Sequence, residues 1–220
     1  MNSLFYLELL ESKPRLLARM MAFNRQAAPC APTDSKWMEA AWAHEDLREA
    51  LQGRSGAAAR ESGFWDFAEE SRRLAFLTPE ALARLAALSG AALMGTRIAH
   101  TIDRAGVTAL RETLGDELYR YGLMRGRFQA ATLTNELDAL MPPTSIEALL
   151  PSYASLVVAI VRSAWPPPLV KRTEELVREA GLSEVQFPAP PEAALCRRVW
   201  HFSKKIIFRE LGGSWSEYFD

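Results

Sequence analysis

Residues Leu85–Arg125 read LAALSGAALMGTRIAHTIDRAGVTALRETLGDELYRYGLMR, and no other stretch says as much about the architecture. Aliphatic and charged residues recur there at helical spacing, and residues without bulky side chains interrupt them. Glycine inside a helix costs about 0.5–1 kcal/mol relative to alanine, so Gly90 and Gly95 need a packing reason. We therefore predict that another helix approaches closely at this point. The small residues concerned are Ser89, Gly90, Ala91, Ala92 and Gly95.

Helical spacing continues on both sides of this stretch, and no segment shows the sustained alternation that is typical of strands. The sequence therefore predicts an all-α protein, a compact multi-helix orthogonal bundle that forms a single domain over residues 1–220. Residues 53–63 are rich in Gly, Ser and Ala and are predicted to form a mobile loop. Residues 192–211 are predicted to form a C-terminal amphipathic helix.

Capping residues, prolines and glycines predict where helices begin and end. Thr78-Pro79-Glu80 combines a hydroxyl cap, a proline at the first helical position and an acid at the positive helix end. Gly106 and Gly115 are predicted to end helices, and Pro151 to divide one. Further helices are predicted at Leu4–Leu10, from Pro14 onward, behind the caps Asp34 and Ser35, and over Phe64–Leu77 and Leu169–Ala180.

Composition narrows the class of protein. The 220 residues are 49% hydrophobic and carry a formal net charge of −1, which allows a sizeable core and argues against bulk binding to nucleic acid. Cys30 and Cys196 are the only cysteines, so a disulfide framework is not expected. The N-terminus lacks the basic region and cleavage site of a signal peptide, and the longest apolar run, 156–161, is too short to cross a bilayer. We predict a soluble cytoplasmic protein.

The sequence offers no catalytic constellation. His44, His100 and His201 lie in different predicted helices, and His100 stands three residues from Asp103, where a surface hydrogen bond is expected. Cys30 has no nearby base in the sequence, and the chain has no nucleophile elbow or phosphate-binding loop. We predict a protein that is not an enzyme and that has no cofactor or metal.

The C-terminal helix separates apolar from basic residues. At 100° per residue, one arc is apolar and the opposite arc is almost entirely basic. A helix docked on the core with an ordinary wet face is one interpretation. The apolar arc comprises Leu195, Cys196, Val199, Trp200, Phe202, Ile206, Ile207 and Leu211, and the basic arc Arg197, Arg198, His201, Lys204, Lys205 and Arg209.

A contact surface for a partner is the other interpretation, because the exposed arc is basic in a protein without net positive charge. Phe208 projects among these bases, and a basic face with one aromatic anchor suits an acidic protein surface or, less well, an anionic membrane. The aromatic tail that follows, 215–219, is predicted either to fold back or to reach a neighbouring molecule. The predicted partner-binding residues are Arg197, Arg198, Lys204, Lys205, Phe208 and Arg209.

The segment from Leu88 to Leu123 resembles the core of the SctK/YscK family of bacterial type III secretion proteins. The resemblance covers about a sixth of the chain. A weaker similarity upstream involves Phe23-Asn24, Pro29 and 35–37, with Cys30 and Lys36 where the family more typically has a tyrosine–histidine–proline run. The matching residues are Leu88, Gly90, Leu93, Gly95, Ile98 and Ile102, then Leu110, Arg111, Leu114, Gly115 and Tyr119.

The resemblance implies a non-enzymatic helical adaptor of the cytoplasmic sorting platform. Such a protein links the cytoplasmic domain of the inner-membrane ring protein, SctD, to the pod protein, SctQ. It is peripheral to the inner membrane through these partners. The matching residues are mostly apolar or glycine, so we expect them to form the fold.

A helical ligand-sensing or regulatory domain is the alternative function. In that case the small residues around Gly90–Gly95 would line a pocket, and a small molecule would change the melting temperature. An adaptor would respond only to protein partners.

Overall fold

The computed structural model describes residues 3–24, 64–141 and 145–219. These ranges contain helices and no β-strand, which confirms the all-α prediction. Backbone contacts group the chain into two compact units, Met1–Phe76 with Glu217–Asp220, and Leu77–Ser216. We call them the N-terminal unit and the main unit. The single domain over residues 1–220 and its orthogonal packing stay predictions.

Several sequence features lie outside the described residues. They are Cys30, His44, the helix predicted behind Asp34 and Ser35, and the loop predicted at 53–63.

The N-terminal unit contains two short α-helices and a 3₁₀ helix. Helix α1 spans Ser3–Ser12 and α2 spans Pro14–Phe23, with Pro14 opening α2 as predicted. The 3₁₀ helix spans Glu70–Phe76. The apolar face of α2 is buried, and its residues include Leu16, Leu17, Met20 and Met21.

The predicted α-helix over Phe64–Leu77 is wrong. Residues 64–68 are not helical, and the 3₁₀ helix covers only the second half of the segment. The side-chain amide of the buried Asn24 donates to the Phe64 carbonyl at 2.7 Å, and the Phe64 N–H donates back to Asn24 Oδ1 at 2.9 Å. These bonds occupy the backbone N–H and carbonyl of Phe64, which is not helical, and Phe67 packs edge-on against the Phe23 ring. Side-chain bonding of this kind competes with helix formation, and single-sequence periodicity does not reveal it.

The aromatic tail folds back within the N-terminal unit, which was one of its two predicted arrangements. Tyr218 and Phe219 are buried. The buried Arg73 side chain donates to the Tyr218 carbonyl at 2.9 Å and to the Phe67 carbonyl at 3.1 Å. Burial lowers the pKa of Arg73, and Glu70 opposes this effect. Arg73 thus ties Tyr218 to the non-helical segment at Phe67.

Replacing Arg73 with leucine is expected to lower the free energy of unfolding by about 2 kcal/mol and to free the tail. The substitution leaves two carbonyls without their charged donor, and hydrogen bonds to charged groups are worth about 1.5–3 kcal/mol. The measurements are urea unfolding and the rate of carboxypeptidase digestion. Arg178→Leu is the control, since Arg178 pairs with Glu175 and both side chains are exposed, and it should cost less than about 1 kcal/mol. Equal losses in both variants, with an undigested tail, would contradict this account.

The main unit is built around a buried central helix. Helix α3, Pro79–Leu93, packs against α8, Ile146–Ser163, and against the segment Gly122–Gly126. The other α-helices are α4 Gly95–His100, α5 Arg104–Tyr121, α6 Arg127–Ala130, α7 Thr134–Asp138, α9 Pro167–Arg172, α10 Glu174–Glu179, α11 Ala193–Ile206 and α12 Gly213–Ser216.

The start of α3 is as the sequence predicts. The Ala81 N–H donates to Thr78 Oγ1 at 3.3 Å, and Pro79 occupies the first helical position. Hydrogen bonds from its own backbone and from Thr78 lower the pKa of Glu80. The capped start fixes where α3 begins, and therefore which of its faces meets the rest of the main unit.

The small residues of α3, and Gly95 at the start of α4, are packed against backbone, which confirms the predicted close approach. A Cβ added at Gly90 would lie 2.8 Å from the Leu150 carbonyl oxygen, and one added at Gly95 would lie 2.6 Å from that of Gly122. The fit is mutual. A Cβ on Gly122 would lie 2.5 Å from the Ala91 carbonyl oxygen, and one on Gly126 would lie 2.6 Å from Ala92 Cα. Two pairs of small residues therefore let α3 and the 122–126 segment touch main chain to main chain.

The two glycines of α5 behave differently from each other. Gly115 has φ +75° and interrupts the helix, as predicted. Gly106 does not end a helix: its N–H donates at 2.7 Å to Asp103 Oδ1, so it lies in the first turn of α5. A Cβ there would lie 2.6 Å from Thr101 Cγ2. Glycine is therefore required by the crowded cap, and the prediction mistook a helix start for a helix end.

Two further boundaries differ from the prediction. Pro151 lies inside α8 and does not divide it, so the helix loses the one hydrogen bond that a residue 151 N–H would supply. The helix predicted over Leu169–Ala180 is broken at the buried Thr173, whose hydroxyl donates to the Leu169 carbonyl at 3.0 Å. Its predicted end is confirmed, since Gly181 has φ +71°.

Candidate functional site

The last helix divides into a buried and an exposed face as predicted. Helix α11 continues into a π-helical turn, Ile207–Leu211, so the helical region ends where the sequence places it. Every residue of the predicted apolar arc is buried except Leu211, which is half-buried. On the basic arc, Lys204 is half-buried, and the exposed residues are Arg197, Arg198, His201, Lys205 and Arg209.

Phe208 projects among these bases, as predicted. Its side chain is 37% exposed, and Lys204 Nζ lies 5.6 Å from the centre of its ring. A cation over an exposed ring contributes about 0.5–1 kcal/mol and holds the ring in place. The aromatic side chain therefore remains available at the surface.

Arg198 differs from its basic neighbours because it already has an acidic partner. Its Nη2 lies 2.5 Å from Glu136 Oε1, and α7 supplies that carboxylate. Lys205 and Arg209 form no salt bridge with any side chain in the described ranges. Arg197 is also exposed and forms no salt bridge in those ranges. Of the predicted bases, Lys205 and Arg209, one helical turn apart, are the two that line a groove.

A groove of about 650 Å³ lies beside these two cations. Lys205, Arg209 and Glu210 form one wall. The opposite wall comes from the segment that follows α5, and its residues are Met124, Arg125, Phe128 and Gln129. Met124 is 69% exposed and Phe128 is 68% exposed, so the groove combines bulky apolar side chains with positive charge.

Both walls include π-helical turns, at Gly122–Gly126 and Ile207–Leu211. Such turns are rare and often occur at functional sites. Arg125 Nη1 on one wall lies 3.3 Å from Glu210 Oε1 on the other. Glu210 is largely buried in this pair and Arg125 is 68% exposed, so the remaining N–H groups of the guanidinium stay within reach of a further carboxylate.

Tyr121 lies beneath the groove. Its hydroxyl donates to Gln129 Oε1 at 3.2 Å. Burial raises the pKa of Tyr121 well above its usual range, and the nearby Glu210 carboxylate raises it further. Burial and a hydrogen bond to Asp138 raise the pKa of Tyr153 in the same direction.

These two tyrosines are expected to make the main unit sensitive to alkali. A tyrosine whose folded pKa exceeds its ordinary value of 10.0 contributes stability that is complete below that pH and is lost as the pH rises toward the folded pKa. The free energy of unfolding should therefore fall above about pH 10, and Tyr121→Phe should flatten the fall. Urea unfolding across this range checks the prediction, and an identical slope in the variant would contradict it.

Sequence reasoning missed the wall that carries Met124 and Phe128. A usable signal was present in GLMRGRFQA, residues 122–130. Met124 and Phe128 stand two residues after Gly122 and Gly126, which is about 200° around an α-helix. Once the glycines face α3, these two side chains must point outward.

The remaining candidate residues do not converge on a chemical site. His100 and His201 are both exposed, and Cys196 is buried. Asp103 caps α5 through Gly106, and the hydrogen bond predicted between it and His100 is not formed. Across 3–24, 64–141 and 145–219, no three His, Cys, Asp or Glu side chains are grouped as metal ligands.

Two further cavities, with volumes of about 210 and 500 Å³, are lined in part by residues within 182–187. Ser155, Ser183 and Glu184 line both of them. The residues of Gly90–Gly95 line neither, nor do they line the groove. Most of that stretch is fully buried, and Gly90 and Gly95 pack against Leu150 and Gly122, so none of these three cavities lies where the ligand-sensing alternative expects one.

The residues that carry the family resemblance are mostly part of the core. Leu88, Leu93 and Ile98 are buried, as are Leu110, Leu114 and Tyr119. Arg111 and Gly115 are exposed, and Ile102 is 91% exposed in the turn between α4 and α5. The expectation that these residues form the fold is wrong at Ile102.

Comparison with family models, curated proteins and solved structures yields no match for this chain. None of the helices in the described ranges has the length and apolar character to cross a bilayer.

Proposed function

We propose that this chain is a non-enzymatic adaptor of a bacterial type III secretion sorting platform. It links the cytoplasmic domain of an SctD-like inner-membrane ring protein to an SctQ-like pod protein. Its role is to hold two protein partners, and no cofactor takes part.

The groove beside α11 is the observation that carries the protein-binding role. Interfaces take most of their binding energy from a few bulky apolar or arginine side chains surrounded by polar groups. Met124 and Phe128 are large, exposed and adjacent to Arg125, Lys205 and Arg209. Bulky exposed apolar side chains next to polar and charged groups are the composition that a contact surface requires.

The packing of the main unit suits a linking role. An adaptor fixes the distance between its partners only if its own helices do not slide. The contacts of Gly90 and Gly95 with the backbone at 150 and 122 leave no room for a shift of even one methyl group. The same residues belong to the 88–123 segment that resembles SctK/YscK proteins, and that resemblance supports this particular machine.

Co-purification tests the proposal. The tagged full chain is mixed at micromolar concentration with the cytoplasmic domain of the ring protein, and separately with the pod protein. We expect the chain to retain at least one partner, and to form a ternary complex when both are present. An unrelated helical protein of similar net charge is the control. If neither partner is retained, the adaptor function is wrong.

A further inference from the structure

We infer that the groove binds an amphipathic α-helix of a protein partner, with carboxylates flanking an apolar stripe. The inference deepens the proposed function and rests on it for the identity of the partner protein. The chemistry of the occupant follows from the groove alone.

The charge of the groove selects an acidic occupant. Its lining contains three cations, Arg125, Lys205 and Arg209, and one carboxylate, Glu210, which is already paired with Arg125. Lys205 and Arg209 stand four residues apart, so they present positive charge at two levels along one wall. A carboxylate-bearing segment lying along that wall would meet both cations.

The apolar side chains select an amphipathic occupant. Met124 and Phe128 also stand four residues apart, on the opposite wall. The Arg127 guanidinium lies 4.5 Å from the centre of the Phe128 ring and supports it from its own helix. Methionine adapts its shape to different partners, and an aromatic ring offers a stiff surface. Apolar side chains at helical spacing on the occupant would pack against this pair.

A helix fits this site better than an extended peptide does. Extended peptides gain affinity by adding a strand to a sheet edge, and the described parts of this chain contain no strand. Helices lie in grooves between helices and place apolar residues at intervals of three and four.

An anionic membrane is the weaker partner for the same residues. A bilayer presents a flat surface, whereas Met124 and Phe128 line a concave groove with Lys205 and Arg209 opposite them. Basic amphipathic helices that bind membranes bury their apolar face in lipid. The apolar face of α11 is instead buried within the protein.

A charge-swap experiment with the full chain tests the inference without the ring or pod protein. The probes are two labelled helical peptides of about 18 residues, with leucine at intervals of three and four and either glutamate or lysine on the flanks. Binding is measured by fluorescence anisotropy at about 0.15 M salt. The glutamate peptide should bind at least about tenfold more tightly than the lysine peptide. The double variant Lys205→Glu with Arg209→Glu should reverse this preference. The double variant Met124→Ser with Phe128→Ser should weaken the binding of both peptides.

The control is Arg104→Glu with Lys171→Glu, which makes the same change in charge at exposed positions outside the groove. It should leave the preference unchanged. The inference is overturned if the glutamate peptide does not bind at about 1 mM, or if the preference is the same in all variants. Vesicles that contain phosphatidylserine are a third probe, and the inference is also overturned if the groove substitutions weaken the binding of vesicles alone. This assay contains neither secretion protein, so its outcome is independent of the co-purification. The peptide assay can fail while co-purification succeeds, and co-purification can fail while the peptide assay succeeds.

Discussion

Replacing Gly122 with valine is expected to lower the free energy of unfolding by about 3 kcal/mol. The first carbon of any side chain at this position would lie 2.5 Å from the Ala91 carbonyl oxygen and 2.8 Å from Ile98 Cδ1. The first of these neighbours is main chain inside α3 and cannot rotate away. The helices must therefore separate, and the contacts at Gly95 and Gly126 loosen with them. Urea unfolding followed by circular dichroism measures the effect.

Gly213→Val is the matched control. Gly213 has no atom within 4 Å of the position its Cβ would take, so this substitution should change stability by less than about 0.5 kcal/mol. Similar stabilities for the Gly122 variant and the wild-type chain would mean that α3 and the 122–126 segment are not in main-chain contact. The tight packing on which the proposed linking role rests would then be wrong.

Replacing Phe202 with alanine is expected to cost about 4 kcal/mol. Phe202 is 3% exposed on the buried face of α11, which packs against α3 and α8. Removing a buried phenyl ring loses its transfer free energy and leaves a cavity that the close-packed surroundings fill only in part. A domain of ordinary stability, about 5–15 kcal/mol, would lose a large share of it.

Phe208→Ala is the control from the same helical region. The ring there is 37% exposed and contacts Lys204, so its removal should cost less than about 1 kcal/mol. The two substitutions delete the same atoms, and only their burial differs. Equal losses would contradict the assignment of 208 to the surface and 202 to the core, and with it the position of the basic arc.

The helical fold was predictable from the sequence wherever a local signal decides the structure. Thr78-Pro79 starts α3 by hydrogen bonding within one turn, and Gly115 and Gly181 adopt positive φ where the sequence predicts a break. The errors have non-local or ambiguous causes. The backbone of Phe64 is bonded by the side chain of Asn24, forty residues earlier, and is not helical. Gly106 is required by a crowded cap that looks in sequence like a helix end.

The candidate site was only half predictable. The amphipathic pattern of α11 places the exposed bases correctly, since 100° per residue is enough to separate the two faces. The opposite wall depends on which side of residues 122–130 meets α3. Tertiary packing decides this, so the local sequence pattern does not reveal it. The pairing of Arg198 with Glu136 is equally non-local, because 62 residues separate the two. The arc that looks uniformly basic in sequence is therefore partly neutralised in the structure.

The central claim is tested most directly by a dissociation constant. It is measured between the full chain and whichever of the ring and pod proteins is retained in co-purification, for the wild type and for the double variant Lys205→Glu with Arg209→Glu. We expect the double reversal to weaken binding by about 100-fold while the helicity and melting temperature stay the same, since both side chains are exposed and unpaired within the described ranges. Arg104→Glu with Lys171→Glu should leave the constant within about twofold. Unchanged affinity in the groove variant, or an equal loss in the control, would contradict the claim that a basic groove on a close-packed helical body binds an acidic partner.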